Sequence, residues 1–230
     1  GHNYINDAVS KGAKAIVVQK DVEKIPEDIA VIKVENTRKA LAYMSAAFFG
    51  FPARELTTIG LTGTKGKTTT TYMIKSVLEA TGNKTGLIGT TGILIGDKSL
   101  PAKNTTPESY ELHKIFREMV DSGCKYAVME VSSQGLKYGR VEGIEFDYGV
   151  FTNFSPDHIG PNEHDSMEDY AASKSILFRR CKTAVVNNDD QSVDEILKNH
   201  TCQVKNYGID TNADLKAKDI EFIKENGRLG

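Results

Sequence analysis

Gly60-Leu61-Thr62-Gly63-Thr64-Lys65-Gly66-Lys67-Thr68-Thr69-Thr70-Thr71 follows an extended lead-in, Thr57-Thr58-Ile59, and opens a helical pattern that continues through Met73, Ile74, Val77 and Leu78. A strand, a glycine-rich turn and a helix in that order make a phosphate-binding loop. The glycines let the backbone turn tightly, so that several N–H groups converge on an anion at the positive end of the helix. Lys67 adds a mobile charge and Thr68 a hydroxyl suited to Mg²⁺. The spacing departs from G-x-x-x-x-G-K-[ST], which would need a glycine where this chain has Leu61; its first loop glycine is Gly63. An ordinary surface turn is the bland alternative, and the placement between strand and helix favours Mg-ATP.

From residue 57 onward apolar runs alternate with amphipathic stretches. They are Ile59-Gly60-Leu61, a helix over 67–81, Thr85-Gly86-Leu87-Ile88, a helix over 107–122, Tyr126-Ala127-Val128-Met129, Tyr148-Gly149-Val150-Phe151, a helix over 166–180, Ala184-Val185-Val186 and a helix over 191–199. This order predicts an α/β fold with a central, mostly parallel sheet and flanking helices. Ligands of such sheets bind beyond the carboxyl ends of the strands, so reactive residues are expected just after each apolar run. Ahead of this domain, Asn36 is placed to cap an Ala-rich helix over 37–49, which Gly50-Phe51-Pro52 ends. That helix reads as a connector between a small first piece, residues 1–54, and a main domain, residues 55–230. Residues 15–18 read as a strand with no earlier strand to join, and 219–223 as one with no later partner. The expectation is a chain that continues in both directions.

The residues after the runs carry the chemistry. Glu130 leaves an apolar strand toward the phosphate loop, where a carboxylate suits Mg²⁺ because that cation prefers oxygen and keeps water and phosphate as its other ligands. His158 follows another strand of the same sheet and reads either as a loop histidine or as a metal ligand. Lys174 falls within the stripe of Met167, Tyr170, Ala171, Leu177 and Phe178. There it either snorkels its ammonium to water or has a depressed pKa that leaves the amine free to take up CO₂ as a carbamate. Asn187-Asn188-Asp189-Asp190 is close to the N-K-x-D guanine signature, but Asn188 replaces its lysine, which favours adenine; an Asx-rich helix cap is the other reading.

Composition narrows the class. With 29 Lys and Arg against 31 Asp and Glu, the net charge of −2 leaves no footprint for nucleic acid. No stretch is apolar and long enough to span a bilayer, and no leader pattern opens the chain, so a cytoplasmic protein without membrane partners is expected. Cys124, Cys181 and Cys202 are too widely spaced for a zinc knuckle and read as reduced core residues.

The ordered motifs resemble the ATP-dependent Mur ligases, within them most closely the ligases that add a third amino acid to UDP-N-acetylmuramoyl-L-alanyl-D-glutamate. The carriers are residues 62–69, Asn104-Thr105-Thr106-Pro107, residues 129–136, Gly139-Arg140-Val141, residues 152–158, Ala172-Ser173-Lys174 and Asn187-Asn188-Asp189-Asp190. The resemblance implies that Gly63, Thr64, Lys65, Gly66, Lys67, Thr68 and Thr69 bind ATP, with Thr68, Glu130 and His158 at Mg²⁺ and Lys174 carbamylated as N6-carboxylysine. It also implies that Asn104, Thr105, Thr106, Ser132 and Arg140 hold the muramoyl dipeptide, while Asn187 and Asp190 face adenine. Gln134 stands where the family often has histidine, and Tyr138 where some members have a substrate-binding glutamine. The implied reaction is amide ligation through an acyl phosphate, by a monomer acting on small molecules. The resemblance further implies that the first domain is present only as its tail and that an amino-acid-binding third domain is absent. A folylpolyglutamate synthetase-like ligase and a nucleotide-binding module without turnover are the alternatives.

Overall fold

The computed structural model describes residues 2–23, 25–157, 159–160 and 163–221, with the backbone of 224–225 and 228–229. A short helix α1 (Ile5–Ser10) precedes strands β1 (Ala15–Val18) and β2 (Ala30–Lys33), which pair in parallel with each other. The first strand therefore has a partner, but it lies downstream in a segment the sequence reading passed over. Helix α2 (Thr37–Phe48) follows, and the Asn36 side chain accepts from the Lys39 N–H at 3.0 Å, as a cap should.

The main domain then runs β3 (Thr57–Thr62), α3 (Lys67–Ala80), β4 (Thr85–Gly89), β5 (Gly92–Ile95), β6 (Lys98–Leu100), α4 (Ser109–Asp121), β7 (Tyr126–Glu130), α5 (Ser133–Lys137), β8 (Phe146–Phe151), α6 (Met167–Ser175), β9 (Cys181–Asn187), α7 (Val193–Ile196), β10 (Gln203–Gly208) and β11 (Leu215–Lys216). These strands form one sheet in the order β11-β10-β9-β8-β3-β7-β4-β5-β6. All pairings from β11 to β4 are parallel; β5 and β6 add an antiparallel edge. The mostly parallel sheet is thus as expected, while the β5–β6 hairpin and the strands β10 and β11 were not read from the sequence.

Alternation along the strands sends side chains to two cores. On one face α4 presents Leu112, Ile115, Phe116 and Met119, spaced to form a single helical stripe, in a cluster with Ile88, Ala127 and Met129. On the other, Ile74 and Leu78 of α3 pack with Ile59, Leu61, Val128 and Val150. The expected helix over 166–180 is α6 followed by a 3-10 turn, Ile176–Arg179. The one expected over 191–199 shrinks to α7; Asp190 Oδ1 accepts from Ser192 N–H at 2.9 Å just ahead of it, and Asn199 takes a left-handed conformation (φ 60°) beyond it. Residues 219–221 form no strand, and 222–223 lie outside the described residues. Cys124 and Cys181 are buried free thiols and Cys202 is half-buried.

The chain passes from β3 over β7 to β4, returns to β7, then crosses β3 to reach β8. The carboxyl ends of β3, β7 and β8 therefore meet at a switch point, where the sheet leaves a crevice.

Phe116 is fully buried at the centre of the larger core. Phe116→Ala is expected to lower unfolding free energy by about 3–5 kcal/mol, seen as a lower urea midpoint at unchanged slope.

Candidate active site

The loop between β3 and α3 is held against the loop that follows β8. Thr64 N–H donates to the Asn153 carbonyl at 2.8 Å, and Lys65 N–H to Asn153 Oδ1 at 2.9 Å. In return Asn153 Nδ2 and Thr152 Oγ1 both donate to the Lys65 carbonyl, at 2.9 and 2.8 Å. Gly63 and Gly66 have φ of 154° and 83°, and a Cβ on Gly63 would run into Thr152 Oγ1. No side chain caps α3. The N–H groups that every helix leaves unpaired in its first turn open instead onto a cleft of about 470 Å³, lined by Gly66, Lys67 and Thr68 on one side and by Asn104, Thr105, Glu130, Ser132 and Arg140 on the other.

Glu130, at the end of β7, is almost wholly buried yet lines this cleft. Its Oε1 accepts from Thr68 Oγ1 at 2.9 Å and from Thr90 N–H at 3.0 Å, and its Oε2 from Thr90 Oγ1 at 3.2 Å. Gly89 makes this possible, since a Cβ there would strike the Glu130 carboxylate. Thr68 and Glu130 thus come together as the sequence suggested. Thr90 was missed, although it too stands just past an apolar run.

Two lysines meet behind the loop. Lys67 Nζ donates to the carbonyls of Gly63 and Thr64 at 2.8 and 3.1 Å. Lys174 Nζ donates to the same Gly63 carbonyl at 3.0 Å and lies 4.2 Å from the centre of the Tyr170 ring. Lys174 is 1% exposed, which excludes snorkelling. Burial, helped by the Lys67 charge and opposed by Asp157, brings its pKa down to about 6. Burial lowers that of Lys67 as well, against the pull of Glu130 and Asp157. Lys174 therefore gives up its proton far more readily than an ordinary lysine.

The remaining candidates divide. Asn104 and Thr105 line the cleft, and Thr105 Oγ1 lies 3.0 Å from Thr90 Oγ1. Thr106 is buried beneath them, donating to the Glu130 carbonyl at 3.0 Å and accepting from Ser132 N–H at 2.9 Å. Ser132 caps α5 through a 3.0 Å bond from Gly135 N–H. Arg140 donates to the Thr106 carbonyl at 3.1 Å and pairs with Glu108 at 2.8 Å. Asn187 and Asp190 lie outside this lining and brace the β8 loop: Asn187 Nδ2 donates to the Thr152 carbonyl at 3.0 Å, and Asp190 Oδ2 accepts from Phe154 N–H at 2.7 Å. Lys65 and Thr69 are also away from the cleft lining, Gly63 shapes the loop itself, and Thr64 lines the cleft. His158 lies outside the described residues. Among the described residues no three His, Cys, Asp or Glu side chains gather as a metal cluster, and no helix is long and apolar enough to cross a membrane. A Thr68–Glu130 pair beside a phosphate cradle still fits Mg²⁺, which takes few protein ligands.

Comparison with known proteins places this geometry. The 2,6-diaminopimelate ligase of Clostridium perfringens that acts on UDP-N-acetylmuramoyl-L-alanyl-D-glutamate is 47% identical over 226 residues, 96% of this chain and 46% of its own length. The enzyme of the same name from Clostridium tetani is 47% identical over 231 residues, 100% of this chain and 47% of its own. The chain thus spans about half the length of these curated relatives. A solved structure of a ligase of that name aligns with a TM-score of 0.84 at 25% identity, covering 96% of this chain and 45% of that one. The Mur ligase middle domain matches residues 61–229. Because that match begins in the strand feeding the phosphate loop and takes in every later strand of the sheet, the chain belongs to the Mur ligase family.

Proposed function

We propose that this chain is the central ATP-binding part of a cytoplasmic ligase that joins an amino acid to UDP-N-acetylmuramoyl-L-alanyl-D-glutamate in peptidoglycan precursor synthesis. The observation that carries the reading is the juxtaposition, in one cleft, of an uncapped helix N-terminus, Lys67, the Thr68–Glu130 pair and the Asn104-Thr105 and Ser132-Arg140 wall. Residues 1–54, with β1 and β2 in a sheet of their own, are read as the end of a preceding uridine-nucleotide domain plus its connector. An amino-acid-binding domain would follow the chain. The names of the two Clostridium relatives favour 2,6-diaminopimelate over lysine as the third amino acid.

In this reading the loop N–H groups and Lys67 hold the ATP phosphates, and the opposite wall brings the D-glutamate carboxylate to them. Lys67 leaves the Gly63 and Thr64 carbonyls to follow charge onto the phosphoryl group during transfer. Thr68, Glu130 and His158 would hold Mg²⁺, which supplies charge neutralisation on the phosphates. Asn187 and Asp190 act on the adenine side by fixing the β8 loop. No side chain acts as a nucleophile.

Phosphate release by the full-length protein tests this, with UDP-muramoyl-dipeptide as acceptor and meso-diaminopimelate or lysine as amine. Release is expected only with all substrates present, and more readily with diaminopimelate. Lys67→Ala is expected to abolish it, a loss of several kcal/mol in transition-state stabilisation, while the circular dichroism spectrum stays native. Unchanged release in that variant would remove the assignment.

Lys174 is read as the site of carbamylation, in which the free amine adds CO₂ and releases one proton to become an anion. With its pKa near 6, the amine is protonated and unreactive below that pH and free above it. A ¹³C resonance from labelled CO₂ is expected to grow as pH rises through about 6 and to be missing from Lys174→Ala. A signal that survives the substitution would place the modification elsewhere.

A further inference from the structure

Ser133 and His164 have no part in the reading above, yet they are joined to each other and to the cleft. His164 is fully buried, with Nδ1 3.0 Å from Asp169 Oδ2 and Nε2 2.8 Å from Ser133 Oγ. Asp169 Oδ2 also accepts from Lys137 Nζ at 2.7 Å and from Asp165 N–H at 3.2 Å. The Lys137 bond above all holds this carboxyl below the usual carboxylate range. An ionised carboxylate can only accept, so Nδ1 carries a proton and donates to Asp169, and the relay uses the tautomer with Nε2 bare. Nε2 is then the acceptor and the Ser133 hydroxyl the donor. The ring is held in place by both bonds and by Tyr170, whose centroid lies 4.9 Å away.

Ser133 is not needed to cap its helix, because Ser132 does that. Its hydroxyl faces His164 while the residue lines the cleft beside Glu130, Ser132 and Arg140. With its proton committed to His164, Ser133 offers the cleft only lone pairs, which match an N–H donor. The same three residue types in this order activate a serine in acyl-transfer enzymes. An acyl phosphate is already electrophilic, and what its aminolysis lacks is a place for the proton of the attacking amine.

Resting on the ligase reading, we infer that Ser133, His164 and Asp169 form a relay that takes up this proton. The amine nitrogen bonds to the acyl carbon as the carbon–oxygen bond to phosphate breaks and its electron pair leaves with phosphate. The amine proton passes to Ser133 Oγ while the serine's own proton passes to His164 Nε2. Asp169 holds the resulting imidazolium, and Lys137 holds Asp169.

The two half-reactions of the full-length ligase separate this role from a structural one. Acyl phosphate formed without amine is trapped by borohydride reduction; amine-dependent phosphate release is followed after adding diaminopimelate. In Ser133→Ala the amine step is expected to fall about 100-fold while the trapped acyl phosphate still forms. His164→Gln should show the same split, and the double variant should be no slower than either single one, because the residues act as a unit. An amine step within twofold of wild type, an equal fall in both steps, or an acyl adduct on Ser133 would overturn the relay. If His164→Gln does not fold, Ser133→Ala decides alone. Wild-type enzyme that traps no acyl phosphate would remove the ligase reading, and the relay with it.

Discussion

Two lysines, Lys67 and Lys174, donate to one carbonyl oxygen, that of Gly63, at 2.8 and 3.0 Å. Two ammonium groups in that position would repel each other in a poorly solvated place, and the Lys67 charge adds to burial in disfavouring that of Lys174. The conflict has two resolutions, both chemical. Lys67, at the mouth of the cleft, is relieved by an anion entering it. Lys174, sealed beneath Tyr170, is relieved by giving up its proton. On the proposed reading, the loop meets negative charge on one side and Lys174 takes up CO₂ on the other.

The scaffold makes that convergence unavoidable. Gly63 can hold its carbonyl there only because it has no Cβ to meet Thr152. Thr152 and Asn153 clamp the Lys65 carbonyl, and Asp190 and Asn187 in turn brace the strand end that carries Thr152 and Asn153. Four neighbouring parallel strands, β7, β3, β8 and β9, therefore fix one loop, each contributing from its carboxyl end. The buried Glu130 carboxylate, aligned by Thr90 and Thr68, supplies the opposing charge across the cleft.

Much of this was legible in the residues, for identifiable reasons. The strand, loop and helix around Gly63 to Thr71 announce themselves by glycine spacing, and Glu130 by standing after an unbroken apolar run. The Lys174 stripe distinguished an inward-facing lysine from a surface one only in part; tertiary burial decided it. β6 escaped because it is a three-residue edge strand exposed along its length, β10 because most of its residues are exposed or half-buried and give a weak hydrophobic pattern, and β5, though largely buried, because it is only four residues long. β2 is exposed along its whole length and gives little pattern either. The bonds of Asn187 and Asp190 to the β8 loop depend on pairing between β8 and β9 that no local signal encodes. The Ser133–His164 contact joins residues 31 positions apart and likewise exists only in the fold.

The most direct test of the two-lysine account is a crystal structure of the full-length ligase with Mg²⁺ and a non-hydrolysable ATP analogue. The account predicts Lys67 Nζ withdrawn from the Gly63 carbonyl and bonded to phosphate oxygen, with the Thr68 hydroxyl and Glu130 turned from each other onto one cation. Nucleotide bound with Lys67 still on the Gly63 carbonyl and the Thr68–Glu130 hydrogen bond intact would contradict it.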